Sequence, residues 1–166
     1  HAHMDHVGYL LKPMKETVHA NVYMTEITRV LSEYQLYDRL FIGKEQDENI
    51  RLAARSLLEQ IATVSFMQTI DFGRYKATFY PAGHIPGAMM ILFEIGKKRI
   101  LYTGDYSLNH TALTQGCMIP KDIKIDTVII CGLHAKHPDY IKKADAMYKQ
   151  AGFVLHCVGD GHQSLM

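Results

Sequence analysis

The sequence predicts an α/β domain. Three observations carry that prediction. Apolar residues recur at helical spacing in three stretches, short runs of β-forming residues alternate with them, and 48% of the 166 residues are apolar against 21% charged. That balance supports a packed core over a disordered chain. The length corresponds to one domain or somewhat less.

The elements follow in chain order. A histidine-dense turn over residues 1–6 runs into a short apolar segment, Val7 to Leu11. Asn21 to Thr25 reads as a short strand. Ile27, Val30, Leu31, Tyr34 and Tyr37 then recur at helical spacing, and Thr25 can act as N-cap, so a helix is expected over about 25–39. A second helix over about 47–61 would gather Ile50, Ala53, Ala54, Leu57, Leu58 and Ile61 on one face. Asp47 and Glu48 in its first turn suit the positive end of the helix dipole. Strands are expected at Tyr75 to Tyr80, Met89 to Ile95 and Arg99 to Tyr102, the last two joined by a hairpin at Gly96-Lys97-Lys98. Thr127 to Ile130 reads as a buried strand. Asp139 to Gln150 follows as a helix with Ile141, Ala144, Met147 and Tyr148 inward, and Phe153 to Cys157 as a last strand. Helices and strands alternating in this order define the α/β class.

Composition narrows the function. Lys plus Arg (18) nearly balances Asp plus Glu (17), a formal charge of +1, which argues against a nucleic-acid binder dominated by a basic patch but not against a nuclease that grips phosphate through metals. No apolar run approaches the roughly 20 residues of a membrane-spanning helix, and no stretch reads as a signal peptide. Cys117, Cys131 and Cys157 lack zinc-type spacing and are odd in number, which points to a reducing compartment, cytoplasmic or, in a eukaryote, nuclear. Histidine is over-represented, at 10 of 166 residues, and it is the commonest metal ligand.

The histidines fall into a pattern. The chain opens His1-Ala2-His3-Met4-Asp5-His6. In an extended segment His1, His3 and Asp5 would share one side, with His6 approaching from another. Four ligand-type side chains in six residues can serve two neighbouring metals. Pro81-Ala82-Gly83-His84-Ile85-Pro86-Gly87-Ala88 closes one expected strand and opens the next. Leu101-Tyr102-Thr103-Gly104-Asp105 places a carboxylate just past a strand end, 21 residues after His84.

Together, His-x-His-x-Asp-His, a later Gly-His and a later Gly-Asp resemble the metallo-β-lactamase superfamily of metal-dependent hydrolases. Residues 82–88 and 101–107 are similar to its β-CASP branch, which holds mRNA 3′-end-processing endonucleases, RNase J-type enzymes and DNA cross-link-repair nucleases. Tyr23-Met24-Thr25, Ile119-Pro120 through Ile130 and, more loosely, Gly152 to Leu165 extend the likeness over nearly the whole chain. The resemblance implies that His1, His3 and His84 bind one zinc ion, that Asp5 and His6 bind a second, and that Asp105 bridges both. It implies a phosphodiesterase in which water activated between the two zinc ions attacks phosphorus, with Asp5 as the catalytic carboxylate orienting that water. The fold implied is a partial αββα sandwich lacking its N-terminal half-sheet. Residues 1–133 would be the later part of the metallo-β-lactamase domain and residues 134–166 the start of a β-CASP region. RNA is favoured over DNA by the likeness at residues 23–25 and 119–130, whereas Pro86-Gly87-Ala88-Met89-Met90 also resembles the DNA-repair members.

Four departures accompany the likeness. Nothing precedes His1; Cys131-Gly132-Leu133-His134 stands where the family has an acidic residue and Ser-Thr-Tyr-Gly; His162 stands where an Arg is usual; and the chain stops before two later histidines. A piece of a longer protein is therefore expected, weakly active or inactive alone, with exposed sheet surface inviting self-association or a partner chain. His134, His137, His156 and His162 could be substitute ligands or surface residues; His19 and His110 read as surface residues. Cys131 reads as a small core residue or a thiolate ligand. Met89 to Phe93 reads as buried strand, and Lys97-Lys98-Arg99 as a solvated hairpin tip or a phosphate contact. Two rival readings stand beside the nuclease: a non-catalytic paralogue binding RNA or a protein, and another hydrolase of the superfamily such as a thioesterase or glyoxalase-like enzyme.

Overall fold

The computed structural model describes residues 1–11, 21–42, 48, 52, 56, 58–132 and 154–157. They divide into two compact units, His1–Ser65 and Phe66–Met166. Among the described residues no helix is long and apolar enough to cross a membrane.

The first unit opens with extended backbone that ends at His3. His3 has φ −66° and ψ 148°, and the chain then coils into the short helix α1 (Met4–Val7) and a 3₁₀ turn (Gly8–Leu11). The His6 and Val7 amides both donate to the His3 carbonyl, at 2.9 and 3.0 Å. This corrects the expected alternation of His1, His3 and Asp5 along one strand. Alternation would have put Val7 on the same side as the ligands; the helical turn buries Val7 and leaves Asp5 and His6 exposed.

Strand β1 (Tyr23–Thr25) leads directly into helix α2 (Glu26–Ile42), and β2 (Ala62–Val64) pairs parallel to β1 with Thr25 opposite Val64. The capping role expected of Thr25 is realised. Its Oγ1 accepts the Thr28 amide at 3.2 Å and donates to Thr28 Oγ1 at 2.9 Å, satisfying an amide the first helical turn leaves open. The apolar spacing marked the helix, but only part of that apolar set turns inward, Tyr37 among it. Ile27, Val30 and Tyr34 are exposed, while Thr28, Ser32 and Leu36 are buried four residues apart. Leu36 packs with Met24, Leu58 and Ile61, flanked by Leu10, Val22 and Tyr37. Of the second expected helix, residues 48, 52, 56 and 58–60 are helical, with Leu58 and Ile61 inward as anticipated. Asp47, Ile50, Ala53, Ala54 and Leu57 lie outside the described residues, as does the helix expected at 139–150.

The second unit is a six-stranded mixed sheet in the order β3 (Thr69–Asp71), β4 (Lys76–Pro81), β5 (Met89–Ile95), β6 (Lys98–Tyr102), β7 (Thr127–Cys131) and β8 (Val154–Cys157). Each of the first four strands is antiparallel to its neighbour, and β7 and β8 run parallel to β6. The hairpin is tighter than expected: Lys98 already belongs to β6, opposite Ile95. Neither β2 nor β3 was expected; each has three residues, and Thr69-Ile70-Asp71 forms a largely exposed edge with no apolar run to announce it. Alternation along the strands buries Tyr80, Met90, Leu92, Leu101, Val128 and Ile130 in one core, against which Ile119 and Ile123 pack from the long β6–β7 connection. This sheet positions part of the site. Because β4 and β6 run the same way, the loop carrying His84 and the turn carrying Asp105 leave the same edge.

Candidate metal centre

Each unit gathers part of the ligand set named by the sequence. In the first, the coil after His3 folds the opening histidines back on one another. His1 Nε2 lies 3.0 Å from His3 Nδ1, and the rings meet edge to face with centroids 4.7 Å apart. The His1 and His6 ring centroids are 3.9 Å apart, and His6 Nε2 is 3.7 Å from Asp5 Oδ2.

In the second unit, His84 Nε2 lies 3.7 Å from Asp105 Oδ2, both side chains partly buried. Local backbone geometry accounts for the approach. The Ala82 amide bonds the Ala88 carbonyl at 2.9 Å and the Ala88 amide the Ile85 carbonyl at 3.0 Å, closing the His84 loop on itself. The Ser107 amide bonds the Ala82 carbonyl at 2.9 Å, tying the segment after Asp105 to the segment before His84. Thr103, fully buried, donates its amide to the Ile129 carbonyl at 3.0 Å and so anchors the turn to β7. Gly83, at φ +72°, permits a close backbone approach: a Cβ there would stand 2.5 Å from the Cys117 nitrogen. Gly83 lies in the connection expected between two strands, but the sequence did not reveal Ser107 and Cys117 as its neighbours.

These donors fit a zinc-type metal. Imidazole nitrogen and carboxylate oxygen are its ordinary ligands, and two donors on one tetrahedral zinc stand roughly 3.3 Å apart. The His1–His3 and His84–Asp105 separations of 3.0 and 3.7 Å lie on either side of that spacing.

The remaining histidines and cysteines contribute less. His110 is exposed in the β6–β7 connection, and His156 lies in β8 opposite Ile130. His19, His134, His137 and His162 lie outside the described residues. Cys131 closes β7 half-buried, opposite Cys157 of β8. Burial pushes the Cys117 thiol up to about 11. Met90 and Leu92 are core residues, as expected of that run. At the hairpin, Lys98 lies 3.9 Å from Asp126, and Arg99 pairs with Glu94 at 3.0 Å while its amide donates to Asp126 at 2.8 Å.

No protein-family model matches the chain. Its curated relatives nevertheless define a class: the chain is a homologue of the β-CASP nucleases of the metallo-β-lactamase superfamily. It is similar to endoribonuclease YSH1 of Mycosarcoma maydis, with 32% identity over 177 aligned positions covering 100% of this chain and 20% of the relative. It is 31% identical over 127 residues to cleavage and polyadenylation specificity factor subunit 3-I of Arabidopsis thaliana, covering 73% of this chain and 18% of that protein. With RNase aCSPSF2 of Saccharolobus solfataricus it shares 26% over 164 residues, 93% of this chain and 33% of the relative. The chain thus spans between about a fifth and a third of these relatives.

Proposed function

We propose that this chain carries the metal-binding part of an RNA-processing endonuclease, a phosphodiester hydrolase using two zinc ions. His1, His3 and His84 would hold one ion and Asp5 and His6 the other, with Asp105 shared between them. Residues 1–133 are read as the later part of a metallo-β-lactamase domain with an αββα sandwich, and residues 134–166 as the start of a β-CASP region. The observation that carries the reading is the convergence of imidazole and carboxylate donors within each unit, in a homologue of endoribonucleases.

When bound, such ions polarise a phosphodiester oxygen and bring the pKa of water toward neutrality. The chain's own groups do the rest. Asp5, exposed on its helical turn beside His6, would orient the attacking water and accept its proton. The three antiparallel strands β4–β6 hold His84 and Asp105 on one rigid edge, so neither has to be ordered during the reaction. RNA is preferred to DNA as substrate on the strength of the relatives named as endoribonucleases and RNase.

A full-length protein containing this chain, incubated with an end-labelled RNA oligonucleotide, should cleave it, lose activity on chelation and regain it with zinc. Cleavage unaffected by Asp5→Asn or by Asp105→Asn would overturn the residue assignment. The rival reading, a non-catalytic paralogue, draws on Cys131-Gly132 standing where the β-CASP pattern is acidic. RNA binding without cleavage by the zinc-loaded protein would establish it.

A further inference from the structure

We propose that Thr114 is a positioning residue for His84. Its hydroxyl fixes the Gly83–His84 peptide from a closed surface loop, and the inference rests on the reading of His84 as a metal ligand. Thr114 Oγ1 donates to the Gly83 carbonyl at 3.1 Å, and that carbonyl belongs to the peptide group entering His84. Rotation of that peptide plane would swing the His84 Cα–Cβ direction, and with it the imidazole. Gly83 is packed through its Cα against Cys117 and Ser107, but with no side chain it sets little limit on rotation about its own Cα–C bond, which turns that peptide plane.

The donor is itself held. The Thr114 amide bonds Thr111 Oγ1 at 3.0 Å, the Leu113 amide bonds the same oxygen at 3.2 Å, and the Thr111 amide bonds the Thr114 carbonyl at 2.8 Å. The two hydroxyl oxygens lie 2.9 Å apart. With the Thr114 proton committed to Gly83, the Thr111 proton can lie between the two hydroxyls, its other acceptor being the Thr114 carbonyl at 3.5 Å. The result is a relay, Thr111 to Thr114 to the Gly83 carbonyl, in which each bond polarises the next.

The loop that carries this relay cannot slide. Its neck is closed by the Cys117 amide on the Ser107 carbonyl at 2.6 Å, and the Met118 amide bonds the Pro81 carbonyl at 2.9 Å. Gly116 lies so close to the Leu108 carbonyl that a Cβ would overlap it. Residues 107–117 therefore form a compact loop with both ends together, standing on the residues that precede His84. Leu113, 80% exposed, marks its outer side, whereas Thr114 turns inward. Groups that orient a metal ligand from behind typically change metal affinity about 10-fold or more when lost.

The test uses the full-length protein with Thr114→Val, which keeps the shape and removes the donor, and Thr114→Ser, which restores it. In metal-free protein, the His84 ring resonances should shift and broaden in Thr114→Val and return toward wild type in Thr114→Ser. In competition with a chromophoric chelator, Thr114→Val should bind one zinc equivalent about 10-fold more weakly, with Thr114→Ser close to wild type. Should Thr114→Val lose the wild-type circular dichroism, Thr114→Ala replaces it in both measurements. Unchanged His84 resonances, or equal defects in the valine and serine variants, would overturn the proposal. A His84 ring that moves as expected in a wild-type background binding no zinc would uphold the positioning role and defeat the metal reading instead.

Discussion

Gly83 stands so close to Cys117 that the two backbones leave no space for a side chain. A Cβ on Gly83 would sit 2.5 Å from the Cys117 nitrogen and 2.6 Å from the Ser107 carbonyl oxygen. Those atoms also form the hydrogen bond that closes the 107–117 loop, at 2.6 Å, so they cannot yield without breaking it. Gly83→Ala must also hold a β-carbon at φ +72°, which alone costs about 1–2 kcal/mol. The two penalties should destabilise the second unit by at least about 3 kcal/mol, a loss in the range of severe backbone defects. Urea unfolding followed by circular dichroism measures this, and a change under about 1 kcal/mol would show that the two segments do not meet as described.

Cys117 supplies a chemical probe of the same contact. Burial raises its thiol pKa to about 11, so the reactive thiolate is scarce at neutral and mildly alkaline pH. The sign is that of a group kept in its neutral form. The folded protein holds the proton to higher pH than the unfolded chain does, and any stability dependent on it is present at neutral pH and lost as pH rises toward about 11. Iodoacetamide labelling resolved by mass spectrometry should modify Cys117 slowly at pH 8, with a rate still climbing above pH 10. A labelling rate already level by pH 9 would contradict the buried environment.

Helix α2 offers a test of which side faces inward. Leu36 is fully buried among Met24, Leu58 and Ile61, whereas Tyr34 is 69% exposed. Leu36→Ala removes methyl groups from a packed site and should cost about 2–5 kcal/mol. Tyr34→Ala should alter stability by no more than about 0.5 kcal/mol. Equal effects of the two substitutions in urea unfolding would reinstate the face that apolar spacing suggests.

That contrast shows where sequence reasoning succeeds and where it stops. The strand from Met89 to Ile95 was legible because an unbroken apolar run, Met89 to Phe93, is rich in β-formers, and its neighbour ending at Tyr102 was marked by the Gly96 break. The cap at Thr25 was legible because a hydroxyl before an apolar-periodic run has a definite local partner, here the Thr28 amide. The inner face of α2 was not, because it is lined by Thr28 and Ser32, small polar residues that apolar spacing ignores. The opening hexapeptide showed which side chains could bind metal, but not the helical turn after His3. That turn is set by the burial of Val7, a residue beyond the motif. Likewise, the contact of Thr114 with Gly83 joins residues 31 apart, and no local pattern announces it.

Asp105 is the residue on which the metal proposal can be tested most directly. Its carboxylate lies 3.7 Å from His84 Nε2 and is assigned to both ions, so converting it to an amide removes the one charge they would share. Zinc that binds only the folded protein raises its stability by about 2.7 kcal/mol at a hundredfold excess over Kd. Wild-type full-length protein should therefore melt at a higher temperature when zinc is added, and elemental analysis should find about two ions per chain. Asp105→Asn should lower the metal content and lose most of the thermal shift, while keeping the wild-type melting temperature in chelator, where no ion depends on it. His110→Asn, altering an exposed histidine of the β6–β7 connection, is the control and should leave metal content and thermal shift unchanged. An Asp105→Asn protein that retains the full zinc-dependent shift would remove Asp105 from the ligand set and with it the sharing of one carboxylate between two ions.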